Sequence, residues 1–501
     1  MLSLIVFAPA VVALVLAFLP ATTPARVFVG AWIATGLVQL ALVVAVWTAM
    51  PAVGYGFVER RAWIPSAGIS YHLGVDGLSL PLLALTVVVF TATAVFAWRE
   101  TRRPKAYVTL FLALQAVCCG LFVALDLILF FLFFDLSIVF MYFVIAGWGA
   151  GARARAAALK FFLYTFLGSL ALLLGFILLF LAAEPHTFDI PTLVAANPLA
   201  AGGPYAGLTL LAIGVGLAIK TPTVPFHTWL PPAHTEAPAT GSAVLAGVLL
   251  KMGTYGFVRI AMPILPASWR QFALAVVIVG VVSVIWGALV ALAQTDLKRM
   301  IAYTSVNHMG YVLLGVGAAG LVAGSDEQAR QLATTGAVTQ MVSHGLITGA
   351  LFLLAGSLHE RGHTYQLAAY GGLAARTPRF AGLFAVAAFA SLGLPGFSGF
   401  IAEFQIFTGA LGAAPIPTAL AVTGILLTAG LFLLAMQKLL LGPVRIPDAP
   451  GSPRPFGDLH PSETIPIAAL LALATVIGLA PRFLLDLIEP ASRALNELVT
   501  R

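Results

Sequence analysis

Long apolar stretches separated by short polar loops recur along the whole chain, and their length limits what it can fold into. A helix crossing a bilayer needs about 20 predominantly apolar residues, since each adds about 1.5 Å and the hydrocarbon core is about 30 Å thick. About fourteen segments meet that requirement. They lie near 3-20, 28-50, 77-98, 106-124, 127-148, 158-183, 204-235, 237-262, 269-293, 297-321, 330-357, 381-411, 415-440 and 462-481. With 60% hydrophobic and 9% charged residues, a soluble globule could not hide this much apolar surface in one core. Runs such as Phe161 to Ala183 are too long for a barrel strand and do not alternate, which excludes a transmembrane β-barrel. The expected fold is therefore an all-α polytopic membrane protein. Its first segment lacks a basic leader and a small-residue cleavage site, so it is expected to be a retained helix and not a removed signal peptide.

The net charge of +7 is distributed unevenly and serves as a map of sidedness. Loops after segments 1, 3, 5, 9, 11 and 13 carry Arg26, Arg99, Arg102, Arg103, Lys105, Arg153, Arg155, Lys298, Arg299, Arg361, Arg376, Arg379, Arg445 and Arg454. The other face has Arg60, Arg61, Arg270, Arg330 and the carboxy-terminal tail. By the positive-inside rule the richer face is cytoplasmic, so both termini are expected on the periplasmic side of a bacterial inner membrane. A basic balance spread over membrane loops points to the lipid bilayer and not to nucleic acid. Cys118 and Cys119 are adjacent and project from different faces of a helix, so they cannot build a metal cluster by themselves and read as small packing residues. No Gly-rich nucleotide loop of convincing spacing and no haem attachment signature occur, so any redox centres belong to other chains.

Two segments are interrupted. Lys220 is followed by Thr221-Pro222-Thr223-Val224-Pro225, and proline removes a backbone donor and clashes with the preceding turn, so segment 7 should break just beyond the lysine. In segment 12, Gly393-Leu394-Pro395-Gly396-Phe397-Ser398-Gly399 precedes Glu403, which puts that break before the charge. Segments 7 and 12 run in opposite directions, five segments apart. Paired broken helices in two halves mark ion sites in transporters built from inverted repeats. The expected organisation is residues 1-105 for the first three helices and an outer loop, 106-262 for a first five-helix half-channel, 263-440 for a second, and 441-501 for helix 14 and a tail.

Asp135, Lys220, Lys251 and Glu403 lie deep inside apolar stretches. An isolated charge at mid-bilayer depth costs about 2.5 to 3.5 kcal/mol, so such residues must pair or meet water, and they mark ion or proton pathways. Asp135 falls about nine residues into segment 5 and Lys251 about fourteen into segment 8, so both reach a depth similar to Lys220 at about 1.5 Å per residue. Burial and a carboxylate neighbour act on an ammonium in opposite senses, which is the setting for a protonation switch. In the second half His308, His344 and Glu403 occupy comparable depth, and histidine suits proton relay. Each histidine can equally be a helix-helix hydrogen-bond partner. Asp126, Lys160, Arg259, Lys298 and Arg299 lie close to segment ends, where solvated or headgroup-facing charges are ordinary.

The motifs then carry a family resemblance. Asp76-Gly77-Leu78-Ser79, Phe133-Phe134-Asp135, Lys220-Thr221-Pro222 through Pro225-Phe226-His227-Thr228-Trp229-Leu230-Pro231, and Ala233-His234-Thr235-Glu236-Ala237-Pro238 resemble the antiporter-like subunits of respiratory complex I. So do Leu245 to Lys251, Asp296-Leu297-Lys298-Arg299 with Ala302-Tyr303-Thr304-Ser305, His308-Met309-Gly310, and Gly399-Phe400-Ile401-Ala402-Glu403-Phe404. The resemblance implies fourteen transmembrane helices with inverted repeats, and proton translocation driven at a distance by quinone reduction. It implies Asp135 and Lys220 as a charge pair, Lys251 as central relay, then His308 and His344, and Glu403 as the second-half terminus. It implies no cofactor in this chain, with NADH, flavin, iron-sulfur clusters and quinone in partner subunits, and neighbouring antiporter-like membrane subunits as partners. A multi-subunit sodium/proton antiporter or a membrane-bound hydrogenase shares the motifs and is the alternative. Two departures stand out: Asp135 where the family usually has glutamate, and Pro232 where it has aspartate.

Overall fold

The computed structural model describes residues 1–20, 22–51, 53–447 and 456–500, so Arg454, counted above among the basic loop residues, lies outside the described residues. Helices fill the apolar segments. Helices α1 Leu2–Phe18 and α2 Ala25–Thr48 lead into a hairpin of β1 Gly56–Ile64 and β2 Ile69–Val75. There follow α3 Leu80–Phe96, α4 Pro104–Val123, α5 Leu127–Trp148, α6 Ala154–Ala182, a short α7 Ile190–Ala196, α8 Pro204–Lys220 and α9 Leu230–Glu236. Next come α10 Ala239–Ile264, α11 Pro266–Leu292, α12 Leu297–Gly320, α13 Glu327–Gly362, α14 Pro378–Ser391, α15 Ser398–Leu411, α16 Pro415–Leu440, α17 Pro461–Leu479 and α18 Arg482–Thr500. Among the described residues ten helices are long and apolar enough to cross a bilayer, and α1, α8 and α14 are shorter apolar helices. α12 escapes that measure because Asn307, His308 and several hydroxyl residues dilute its apolarity, yet nearly every residue from Leu297 to Gly320 is buried.

Burial sorts the helices into two classes. The apolar stretches of α10 and α13 are buried throughout, whereas α2, α6, α11 and α16 leave most of theirs uncovered for lipid. Polar side chains on α10, α12 and α13 therefore face protein, the environment in which intramembrane charge is tolerated. Small residues set the close contacts: a Cβ added at Gly280 of α11 would stand 2.8 Å from the carbonyl of Gly310 on α12, and one at Gly310 would stand 2.7 Å from that of Gly280. Without a hydrophobic force between helices in lipid, such backbone approach carries much of the packing.

The loop after α2 and the tail after α17 are more ordered than the sequence reading allows. The tail is helix α18, whose buried Leu484, Leu485, Ile488, Leu495 and Val499 recur at helical spacing on one face. It straps helix ends together: Arg270 donates to the Val499 carbonyl (2.5 Å) and Thr334 to Asn496 (3.0 Å). The hairpin is held by carboxylates. Asp126, expected to be an ordinary solvated end charge, is fully buried. It caps α5 by accepting the Ile128 and Leu129 amides, and it also accepts the Ser70 amide (2.9 Å). Asp189 bonds the His72 ring (2.6 Å). Burial pushes the Asp189 carboxyl up, but hydrogen bonds from His72 and Thr192 outweigh it and hold the group below the ordinary carboxylate range.

A lowered carboxyl stabilises the fold above its unfolded pKa, about 4, and that contribution is lost as pH falls through the lower folded value. Asp189→Asn is therefore expected to loosen the hairpin by about 1 to 3 kcal/mol at pH 7. Limited proteolysis across residues 56–75 reads this, and equal cleavage of both chains at pH 7 would remove Asp189 from the role of anchor.

Candidate functional site

Both interruptions fall where the prolines and glycines put them. α8 ends at Lys220, and the irregular stretch before α9 is satisfied from within the protein: Trp229 Nε1 donates to the Ile219 carbonyl (2.9 Å) and Ser283 Oγ accepts the Val224 amide (3.0 Å). α14 ends at Ser391 and α15 begins at Ser398, with Gly393 and Gly396 at φ +78° and +101°, a region that glycine enters without strain. The carboxyl of Glu403, on the second turn of α15, is folded back against that turn. A Cβ at Gly393 would meet its Oε2 at 2.5 Å.

Asp135 and Lys220 do not pair as expected. The Lys220 ammonium donates to Ser137 Oγ (3.0 Å) and lies 4.8 Å from the centroid of Phe134, while Asp135 is half-buried and its Oδ1 has no hydrogen-bond partner. The reason is helical geometry. Phe134 and Ser137 are three residues apart and share a face of α5, whereas at about 100° per residue Asp135 and Ser137 point to nearly opposite sides.

Lys251 stands where α10 meets α13. Its Nζ donates to the Ala246 carbonyl (2.5 Å) and contacts Nδ1 of His344 on α13 (2.6 Å). α10 is π-helical over Leu245–Leu249, immediately before the lysine, and again over Phe257–Ala261. Such turns are rare and recur at functional sites. The His308 ring on α12 lies 5.4 Å from that of His344, nearly perpendicular to it. This reverses the expected order of the histidines: His344 is next to the lysine and His308 is one step further. Beyond His308, Tyr311 stacks at 6.1 Å and itself meets Phe407 at 5.3 Å, one turn from Glu403 on α15. Both ring nitrogens of His308, Nε2 of His344, Tyr311 Oη, Gln340 Oε1 and Gln405 Oε1 are buried without hydrogen-bond partners among the described residues. The central helices thus bring together Lys251, His344 and His308; Lys220 stands at the first break and Glu403 at the second.

Several polar residues outside the predicted route are also drawn into the buried interior. His234 on α9 is fully buried, stacks on Phe352 at 4.4 Å, and has no partner for either nitrogen. Its place in the Ala-His-Thr-Glu motif was the available signal. Lys298 and Arg259, whose places near segment ends predict ordinary solvated charges, are also buried. Lys298 donates to the Ala237 carbonyl at the end of α9 and sits 5.0 Å from the Tyr365 ring. Arg259 pairs with Asp76 at 2.5 Å. At the end of the bundle that gathers Arg99, Arg361 and Arg379, a polar cavity of about 870 Å³ opens over the first turn of α10, lined also by Glu100, Glu360 and His363. Tyr107 and Thr240, whose hydroxyls are 2.5 Å apart, also line it. From Thr240 to Lys251 is about 16 Å along the helix.

Residues 124–441 match the family model for NADH:quinone oxidoreductase/Mrp antiporter transmembrane proteins. NADH-quinone oxidoreductase subunit M of Rhodobacter capsulatus is 40% identical over 508 residues, which cover 98% of this chain and 95% of that protein. A chain of respiratory complex I from Thermus thermophilus with bound NADH superposes with a TM-score of 0.87 at 28% identity, covering 100% of both chains. A chain of the Mrp complex from a Dietzia species superposes with the same TM-score at 24% identity, covering 99% and 97%, and so shares the fold.

Lys251→Met keeps the length of the side chain and removes a fully buried ammonium. The purified, assembled protein is expected to gain about 1 to 3 kcal/mol against thermal unfolding, read as a higher apparent melting temperature. A lower one would mean that the Ala246 and His344 contacts more than offset the cost of burying the charge.

Proposed function

The chain belongs to the NADH:quinone oxidoreductase/Mrp antiporter transmembrane family, and we propose that it is the subunit M-type proton-translocating component of a bacterial NADH-quinone oxidoreductase, respiratory complex I. The observation that carries this reading is the contact series Lys251, His344, His308 across three buried helices. It lies between a broken helix ending in Lys220 and another bearing Glu403. Electron transfer from NADH through flavin and iron-sulfur clusters to quinone takes place in partner subunits. This chain, set among neighbouring antiporter-like membrane subunits, moves protons only.

In the proposed route a proton is taken up from the cytoplasmic side, passes Lys220 and Lys251, and leaves outward by Glu403. Lys251 Nζ delivers to Nδ1 of His344 across 2.6 Å, and the imidazolium so formed releases from Nε2 toward His308. A ring that gains a proton at one nitrogen and loses it at the other moves charge without moving itself. Asp135 acts as the gate of the first half. In the arrangement described the gate is open, with Lys220 on the neutral Ser137 hydroxyl, and closing it draws the ammonium onto the carboxylate. A sodium/proton antiporter subunit is the second reading. The 40% identity across almost the full length of a complex I subunit favours the first.

Lys220→Ala and Glu403→Ala are each expected to leave assembly intact and to slow NADH-driven proton pumping in membrane vesicles by about tenfold, a barrier increase of about 1.4 kcal/mol. Normal pumping in both variants would sink the proposed route. Pumping that requires added sodium would favour the antiporter reading.

A further inference from the structure

Arg259 is the most fully engaged charged side chain on the helix that carries Lys251. Each guanidinium nitrogen has its own acceptor: Nε donates to Tyr255 Oη (2.9 Å), one terminal nitrogen to Tyr55 Oη (2.9 Å) and the other to Asp76 Oδ1 (2.5 Å). The acceptors are themselves tied down. Asp76 Oδ1 also accepts the Leu78 and Ser79 amides at the start of α3, each at 3.0 Å, and Tyr255 donates to the Phe122 carbonyl at the end of α4 (3.2 Å). Arg259 therefore joins α10 to the start of α3 and to the loop before β1, and Tyr255, on α10 itself, adds the link to α4.

Such an attachment matters because α10 is irregular. A π-helical turn holds one residue more than an α-turn, so the direction of a side chain depends on which side of that turn it falls. Lys251 lies between the two π-helical stretches and Arg259 lies inside the second. Moving a π-helical turn past Lys251 would rotate the lysine by about 100°, away from His344. Two of the three acceptors, Asp76 and Tyr55, lie outside α10, and a planar fork reaches both in one register only.

We infer that Arg259 and Asp76 form a clamp that sets the register of α10 and thereby holds Lys251 against His344, which makes Arg259 a positioning residue for the proton route. The inference rests on the function proposed above. A cavity of about 590 Å³ between this pair and α18 adjoins Asp76, Tyr55 and Arg259, so the clamp has space beside it in which to open. The position of the pair, eight residues from Lys251 along the same helix, separates it from the Arg361–Glu463 pair, which ties α13 to α17.

The test uses membrane vesicles containing the intact complex, with NADH oxidation and NADH-driven proton pumping measured together. Arg259→Met and Asp76→Asn are each expected to lower pumping about fivefold, and the double variant to be no worse than either, because the two residues act as one unit. Arg259→Lys keeps the charge but not the planar fork, and is expected to leave pumping at least about twofold below that of the unsubstituted chain. Should Arg259→Met fail to assemble, Tyr255→Phe, which removes a single hydroxyl, is expected to lower pumping in the assembled complex. The clamp is overturned by wild-type pumping in Arg259→Met, or in Tyr255→Phe where that variant stands in for it. It is equally overturned by additive losses in the double variant or by a lysine variant that pumps as well as the unsubstituted chain. If Arg259→Met pumps normally while Lys251→Ala does not, the clamp fails and the route stands. If Lys251→Ala also pumps normally, the route fails and takes the clamp with it.

Discussion

A primary ammonium with no exposure to solvent must be surrounded by groups that replace its hydration, and Lys251 sits among such groups at the centre of the molecule. Its Nζ reaches a carbonyl of its own helix and an imidazole of another, with no carboxylate in contact among the described residues. Much of the architecture follows from keeping that environment closed. α10 and α13 are wrapped on all sides, and α12 is nearly so, while the plainly apolar helices take the lipid-facing positions. The broken backbones after Lys220 and before Glu403 are also tolerated on this account. Irregular backbone at membrane depth survives where protein supplies the hydrogen bonds, as Trp229 and Ser283 do for the first break.

The elements legible in the sequence were those set by local physics. Length of apolar run predicted the helices, and prolines and glycines predicted both interruptions to within a few residues, because a missing amide or a positive φ acts on its own turn. What escaped depended on contacts between elements distant in the chain. Arg259 and Lys298 lie near the ends of their apolar segments and read as solvated. In the fold, Asp76 and Tyr55 enclose the first, and Tyr365 with the end of α9 encloses the second. α18 and the β-hairpin were hidden for the same reason, since their apolar faces have meaning only against the helix ends they cover.

Within the candidate site, the identity of the buried residues was readable and their order was not. Depth along a helix follows from counting residues, but rotation about its axis has to be read from the packing. Asp135 and Ser137 are separated by two positions in sequence and by half a turn in space, so Lys220 meets the hydroxyl and passes the carboxylate. His308 precedes His344 in the chain, yet the π-helical turn before Lys251 and the packing of α10 on α13 bring the later histidine to the lysine.

The polar cavity over the first turn of α10 also bears on where electrical work is done. At about 30 Å³ per molecule, a space of about 870 Å³ has room for on the order of thirty waters. A water-filled recess is nearly equipotential with the solution it opens to, so little of the membrane voltage falls across it. The drop, worth about 2.3 kcal/mol per elementary charge at 100 mV, is concentrated in the dry protein beyond Thr240. A charge crossing from the mouth of the recess to its floor travels far in space and almost nowhere in potential. In the proposed route the passage through the dry protein between that floor and Lys251 is then the part that works against the field, whereas transfers among Lys251, His344 and His308, at comparable depth, do little electrical work.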